Sequence, residues 1–166
     1  MGIALIGLKE DRLGVIANSV LTNPINDLVR VNASRTAFVG EVDRWVDMYQ
    51  PDAIIAERFQ TRGGGASMGK SIECISAMLG LLLERYELPV KLVVASQWKN
   101  KFQKRFGVDL KDIYKQIRVA PHALDACLIG CYGLEAGMGQ DFEYTPELIT
   151  SMAEKRSCLP LKRERK

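Results

Sequence analysis

Apolar and polar positions along the chain predict an initial hairpin followed by strands that alternate with helices. Residues 1–8 and 14–21 are apolar runs of strand length on either side of a polar turn, which is typical of a β-hairpin. Two later apolar runs, 53–56 and 89–95, have the length and composition of buried parallel strands. The spacing of apolar residues predicts helices over about 25–49, 67–87, 96–105, 110–117 and 121–133. This order predicts an α/β fold in which a mixed sheet carries helices on its faces.

Composition places the chain among ordinary globular proteins. It has 166 residues, of which 47% are hydrophobic and 26% charged, which suits one compact domain and excludes a disordered chain or a coiled coil. We assign that domain to residues 1–140 and a basic tail to 141–166. No apolar run is long enough to span a membrane, and the start of the chain does not resemble a signal peptide. The four cysteines form no CxxC pair, so we expect reduced thiols and a cytoplasmic location, with Cys127 and Cys131 as buried neighbours one helical turn apart.

Basic charge is concentrated in two short stretches. Residues 99–118 hold seven basic and two acidic residues, and residues 155–166 hold six and one, so each stretch carries a net charge of +5. The rest of the chain carries a net charge of −7. Two basic stretches on an acidic body indicate a polyanionic partner such as nucleic acid, although a solvated helix face and a polar tail would give the same pattern.

Three residues form the first candidate site. Glu57 ends an apolar strand, and the carboxyl ends of strands are where open α/β sheets bind ligands. His122 and Asp125 are three residues apart on a predicted helix with apolar neighbours, which predicts that both lie on its buried side. Two carboxylates and an imidazole suit Mg²⁺ or Mn²⁺, and two such ions can activate water and stabilise the leaving oxygen in phosphodiester cleavage. A buried ion pair is the alternative interpretation.

A second candidate is a nucleotide site. Residues 64–71, GGASMGKS, match the P-loop pattern, in which backbone N–H groups and Lys70 would bind phosphates. The preceding strand ends about six residues too early, however, and the next strand, KLVVAS, lacks a final Asp for Mg²⁺. A loop that leads into a helix at Ser67 is the alternative.

A third candidate is the basic segment SQWKNKFQKRF. It interleaves aromatic residues with Lys99, Lys101, Lys104 and Arg105. Basic side chains neutralise phosphates, and aromatic rings can stack on bases. We predict that Trp98 and Phe102 form the core face of this helix and that lysines contact DNA.

Taken together, four segments resemble the RuvC-type Holliday junction resolvases, including those of phages. The segments are PDAIIAERF, GGGASMGKSIECISAMLGLLL, VVASQWK and PHALDACLIG, in that order, and the similarity covers roughly residues 1–135. The resemblance implies an RNase H-like fold and a Mg²⁺-dependent endonuclease, with Mn²⁺ as a substitute, that acts as a homodimer on branched DNA.

By position, the resemblance implies roles for individual residues. Glu57, His122 and Asp125 would be metal ligands or catalytic groups, and Lys99 and Lys111 would lie near the scissile phosphate. Phe59 lies one position from the family's aromatic residue that probes the junction. The P-loop pattern falls where the family has a junction between a loop and a helix, which explains it without a nucleotide.

One departure concerns the family's first strand, which carries a catalytic Asp. Residues 1–8 resemble the second strand of the family and 13–21 the third, so that Asp has no counterpart. We favour the interpretation that the chain is an N-terminally short version of a longer protein. Glu10 or Asp11 in the hairpin could instead supply the carboxylate, or the protein could be a catalytically inactive, DNA-binding relative.

Overall fold

The computed structural model of the chain describes residues 2–9, 12–20, 28–58, 66–107, 109–116 and 121–139. The chain divides into two compact units. The hairpin unit consists of Met1–Val20 and Phe106–Lys166, and the parallel unit consists of Leu21–Arg105. The predicted tail, 141–166, lies outside the described residues, so its boundary stays a prediction.

Nine helices and strands occur among the described residues, and each matches an element predicted from the sequence to within a few residues. In chain order they are β1 (Gly2–Lys9), β2 (Arg12–Val20), α1 (Leu28–Tyr49), β3 (Ile54–Arg58), α2 (Ala66–Arg85), β4 (Val90–Val94), α3 (Ala95–Phe106), α4 (Leu110–Gln116) and α5 (Pro121–Met138). The largest difference is at α5, which continues five residues past the predicted end at 133.

In the hairpin unit, β1 and β2 form an antiparallel pair. Gly2 lies opposite Val20 and Lys9 opposite Arg12. The register shifts between Leu5 and Ile6, which leaves Ile16 as the extra residue of a β-bulge.

Helix α5 packs against both strands of this hairpin. Its buried face consists of apolar residues at helical spacing, chiefly Leu124, Cys127, Leu128 and Cys131. Two glycines allow close packing here. A Cβ atom at Gly2 would collide with the main-chain carbonyl oxygen of His122, and one at Gly130 would lie 2.6 Å from a side-chain carbon of Ile6. The N-terminal end of α5, which carries His122 and Asp125, therefore lies directly against the start of β1.

The parallel unit contains the second pair of strands and helices α1 to α3. Strands β3 and β4 pair in parallel, with Ile54 beside Val90 and Arg58 beside Val94. Within the described residues, antiparallel and parallel pairing thus occur in two separate two-stranded sheets. Among the described residues of this unit, the buried side chains are Phe38, Val42, Trp45, Met78, Leu82, Val93, Trp98 and Phe102.

Helix α1 ends where the sequence predicts. Gln50 adopts a positive φ of 45° and donates its N–H to the carbonyl oxygen of Val46, and Pro51 follows. The helical spacing that predicts α1 consists of Ala37, Val42, Trp45, Val46 and Met48, and two of these residues, Ala37 and Met48, are exposed in the structure. Val42 and Trp45 are buried and mark the centre of the apolar face of the helix, whereas Ala37 and Met48 lie at the margins of that face.

Helices α3 and α4 begin with side-chain caps. The side-chain oxygen of Gln97 accepts a hydrogen bond from the N–H of Val94 at 3.2 Å, which is one half of a capping box. Asp109 caps α4, because its Oδ1 accepts a hydrogen bond from the main-chain N–H of Lys111 at 2.9 Å. Gly107, with a φ of 67°, separates the two helices as predicted. None of the helices among the described residues is long and apolar enough to cross a membrane.

Candidate active site

Glu57 occupies the carboxyl end of β3, as the sequence predicts. It is the last residue but one of the strand and lies beside Val93 of β4 in the parallel pairing. Val93 is buried, and Glu57 itself is half-buried. The strand therefore places a carboxylate at the carboxyl end of the parallel pair, which is where open α/β sheets bind ligands.

The side chain of Glu57 is held by Trp98. The indole Nε1–H of Trp98 donates a hydrogen bond to Oε2 of Glu57 at 2.9 Å. Trp98 lies in the first turn of α3, which begins directly after β4, and its side chain is 0% exposed. The pairing of β3 with β4 thus brings together two residues that are 41 positions apart.

Lys99 joins this arrangement through the same indole ring. Its ammonium nitrogen lies 5.0 Å from the centroid of the Trp98 ring, which is a cation–π distance. Trp98 and Phe102 are both fully buried, which confirms the prediction that they form the core face of α3.

His122 and Asp125 lie in the hairpin unit, on the first turns of α5. The prediction that both face the buried side is wrong, because His122 is exposed and Asp125 is half-buried. An α-helix turns about 100° per residue, which places Asp125 about 100° and His122 about 160° from the buried Leu124. Because His122 is exposed, it needs neither a metal ion nor an ion pair to compensate for burial.

The three predicted ligands are divided between the two units. Glu57 belongs to the parallel unit, and His122 and Asp125 belong to the hairpin unit. Among the described residues, no group of three or more His, Cys, Asp or Glu side chains is arranged to hold a metal ion. The carboxylates fit Mg²⁺ or Mn²⁺ by type, whereas an imidazole is more typical of ions such as Zn²⁺. Within the part of the chain that the structure describes, neither unit supplies a complete set of ligands.

The predicted DNA-contacting residues differ in exposure. Lys104 on α3 and Lys111 on α4 are exposed, whereas Lys99, Lys101 and Arg105 are half-buried. Phe59, Glu10 and Asp11 lie outside the described residues.

The P-loop interpretation is not supported. Helix α2 begins at Ala66, so that Ala66, Ser67 and Met68 are already helical where a P-loop requires an open loop. Strand β4 ends at Val94 and runs straight into α3 without an Asp.

Two buried polar groups are not among the candidate residues that the sequence predicts. The spacing predicts only that Trp98 lies in the core, because the bond from its indole N–H to Glu57 depends on strand pairing that no local pattern reveals. Glu135 is 1% exposed on α5, four residues after Cys131, and this spacing along the buried face could have identified it. Burial also raises the pKa of Cys127 to about 12, so its thiol stays protonated at neutral pH.

No protein-family model matches the chain, and no curated protein sequence matches it. Among solved structures, the chain is similar to a structure of Thermus thermophilus RuvC, with a TM-score of 0.53 and 18% identity over 84% of this chain and 98% of that chain. A second structure, of T. thermophilus RuvC in complex with Holliday junction substrate, matches with a TM-score of 0.43 and 14% identity over 93% of this chain and 90% of that chain.

The first of these similarities shows the fold. The chain is a mixed α/β protein with small sheets and flanking helices. It has a RuvC-like fold of the RNase H-like class, which confirms the fold predicted from the sequence. At 18% sequence identity, this similarity concerns the fold alone.

Proposed function

We propose that the protein is a metal-dependent, structure-specific endonuclease that cleaves branched DNA such as four-way junctions. The observation that carries this proposal is Glu57, a half-buried carboxylate at the carboxyl end of a parallel strand in a chain of RuvC-like fold. Metal-assisted phosphodiester cleavage needs carboxylates that bind divalent cations, and Glu57 and Asp125 are the two carboxylates that we propose for this role.

Glu57, His122 and Asp125 are the proposed ligands and catalytic groups, and Mg²⁺ is the proposed cofactor, with Mn²⁺ as a substitute. When bound, the cation supplies an activated water and neutralises charge on the leaving oxygen. The protein's own part is to orient these side chains and to bind DNA. Lys99, Lys101, Lys104, Arg105 and Lys111 would neutralise backbone phosphates, and Phe59 would contact the junction.

The proposed assembly is a homodimer in the cytoplasm. A four-way junction contains pairs of equivalent strands, and a two-fold symmetric enzyme could cut one pair symmetrically. Sedimentation equilibrium of the free chain and of its junction complex would report the stoichiometry.

A cleavage assay on a labelled four-way junction tests the proposal. We expect paired symmetric nicks in Mg²⁺ or Mn²⁺ and none on a linear duplex of the same sequence. Asp125→Asn keeps the size of the side chain but replaces a charged oxygen, so we expect cleavage to fall by at least about two orders of magnitude while junction affinity stays within about twofold.

The matched control is Asp47→Asn, which changes an exposed acid on α1 in the same way and should leave cleavage unchanged. Cleavage by Asp125→Asn at the wild-type rate would contradict the role of Asp125. Junction binding without nicks by the wild-type chain, in either cation, would select the alternative of a catalytically inactive DNA-binding relative.

A further inference from the structure

We propose that Trp98 is a positioning residue, which fixes the carboxylate of Glu57 for cation binding through its indole N–H. This inference rests on the proposed role of Glu57 as a metal ligand and adds a residue that acts through it. The indole nitrogen lies 2.9 Å from Oε2 of Glu57.

The burial of Trp98 makes it suited to this role. Its side chain is 0% exposed and packs in the same core face of α3 as Phe102, so the ring has little freedom to rotate. Glu57, by contrast, is half-buried, and its carboxylate lies at the end of a side chain with three rotatable bonds. A fixed donor bonded to a flexible acceptor restricts the acceptor, and the indole N–H therefore selects one orientation of the carboxylate.

The hydrogen bond from Trp98 leaves the carboxylate of Glu57 able to bind a cation as well. An indole has a single N–H and accepts no hydrogen bond, so it engages one lone pair of one carboxylate oxygen. The carboxylate has about four such positions, and Oε1 can therefore face a cation while Oε2 is held. Hydrogen-bonded groups that orient metal ligands in this way typically change metal affinity 10- to 100-fold when removed.

Trp98 also holds a basic residue of the candidate site. The Lys99 ammonium lies over the ring at 5.0 Å from its centroid. One buried side chain thus fixes the carboxylate of Glu57 through its edge and the ammonium of Lys99 through its face. Replacing Trp98 with Phe removes the N–H but keeps an aromatic face, which separates the two functions.

Manganese binding to the full chain tests the proposal without relying on cleavage. Free Mn²⁺ is measured by electron paramagnetic resonance during titration of the wild type and of Trp98→Phe. We expect the dissociation constant to rise at least about tenfold in the variant, with an unchanged circular dichroism spectrum.

The chain offers a matched control in its other tryptophan. The indole N–H of Trp45 donates to Oε1 of Glu41 at 2.9 Å, and Trp45 is also buried. Trp45→Phe removes the same kind of bond at a different glutamate, so Mn²⁺ affinity should not change. A dissociation constant for Trp98→Phe equal to that of the wild type, or an equal loss in both variants, would overturn the positioning role.

Glu57→Gln separates this inference from the proposed function. If Glu57→Gln loses Mn²⁺ and Trp98→Phe does not, Glu57 remains a ligand and the positioning role of Trp98 is wrong. If the wild type binds no Mn²⁺, or if Glu57→Gln binds it normally, the metal role of Glu57 and the inference built on it both fail.

A measurement on the wild type covers the case in which Trp98→Phe does not fold. Protein labelled with ¹⁵N-tryptophan gives two indole signals, since the chain has two tryptophans, and the signal lost in Trp45→Phe assigns the pair. Saturating Mg²⁺ should shift the Trp98 indole proton and leave that of Trp45 in place, because only Trp98 is bonded to the proposed ligand. An unmoved Trp98 signal under Mg²⁺ would contradict the proposal.

Discussion

Glycine at position 2 sets how closely β1 approaches the first turn of α5. A side chain at this position would meet the main-chain carbonyl oxygen of His122, and a main chain cannot move aside as a side-chain end can. The position of a proposed catalytic helix therefore depends on the absence of a single methyl group. Overpacking of this kind typically costs about 1–3 kcal/mol.

We expect Gly2→Ala to lower the free energy of unfolding in urea by ~1–3 kcal/mol, because β1 or α5 must shift. The control is Gly80→Ala in α2, where a Cβ atom meets nothing within 4 Å. Since alanine is the better helix former, that variant should gain up to ~1 kcal/mol. Equal stabilities of the two variants would show that the contact at Gly2 is not tight.

At the scale of residues, the sequence predicted positions better than contacts. Trp98 and Phe102 were placed in the core because aromatic residues four apart share a helix face. His122 was placed on the buried side from its neighbours alone, and the angular position relative to Leu124 and Leu128 would have shown that it faces away. The bond between Trp98 and Glu57 spans 41 residues and follows from strand pairing, which spacing does not encode.

At the scale of elements, three side chains connect α1 with the end of α2 and with Tyr86, the residue that follows it. Arg85 donates two hydrogen bonds to the carboxylate of Asp43, from Nε to Oδ1 at 2.7 Å and from Nη2 to Oδ2 at 2.6 Å. The hydroxyl of Tyr86 also donates to Oδ1 of Asp43. These bonds hold the pKa of Asp43 below its ordinary value of 3.8, with Arg85 as the largest cause. Burial, with help from the bond to Asp43, raises the pKa of Tyr86 to about 12.

We expect Asp43→Asn to lower the thermal unfolding midpoint by a few degrees at neutral pH, since it removes the charge that both donors contact. Because the pKa of Asp43 is lower in the folded than in the unfolded state, its contribution is complete above about pH 4 and is lost as the pH falls through the folded-state value. The difference between wild type and variant should therefore vanish in acid.

Asp52→Asn, which changes an exposed acid after α1, should show no difference at any pH. A midpoint difference for Asp43→Asn that persists unchanged at low pH would mean that packing rather than charge holds the two helices together. Differential scanning calorimetry across this range measures both variants.

Elements were the most predictable level of the structure because their signals are local. Pro51 and the positive φ of Gln50 end α1, Asp109 caps α4, and Gly107 separates two helices, all within a few residues of the predicted bounds. The pairing of the strands was harder to predict from the sequence. The sequence predicted a mixed sheet, and among the described residues the two kinds of pairing occur in separate sheets, since register depends on partners distant in the chain.

At the scale of the whole molecule, charge is distributed unevenly along the sequence. The stretch 99–118 carries a net charge of +5 on a chain whose total is only +3. Exposed lysines in such a stretch would act mainly on phosphates, and the displaced counterions would make DNA affinity fall as salt rises. The basic residues of α3 are not equivalent, however, because Lys99 is held over Trp98 whereas Lys104 is exposed.

We therefore expect the logarithm of the junction binding constant to fall linearly with the logarithm of the salt concentration, and Lys104→Ala to reduce the magnitude of that slope by about one. The matched control is Lys91→Ala, which removes an exposed lysine from β4 in the same unit but outside the basic stretch. Fluorescence anisotropy of a labelled junction, titrated at several salt concentrations, measures both slopes. If Lys91→Ala flattens the slope as much as Lys104→Ala does, attraction to DNA depends on net charge alone, and α3 is not the proposed phosphate-binding surface.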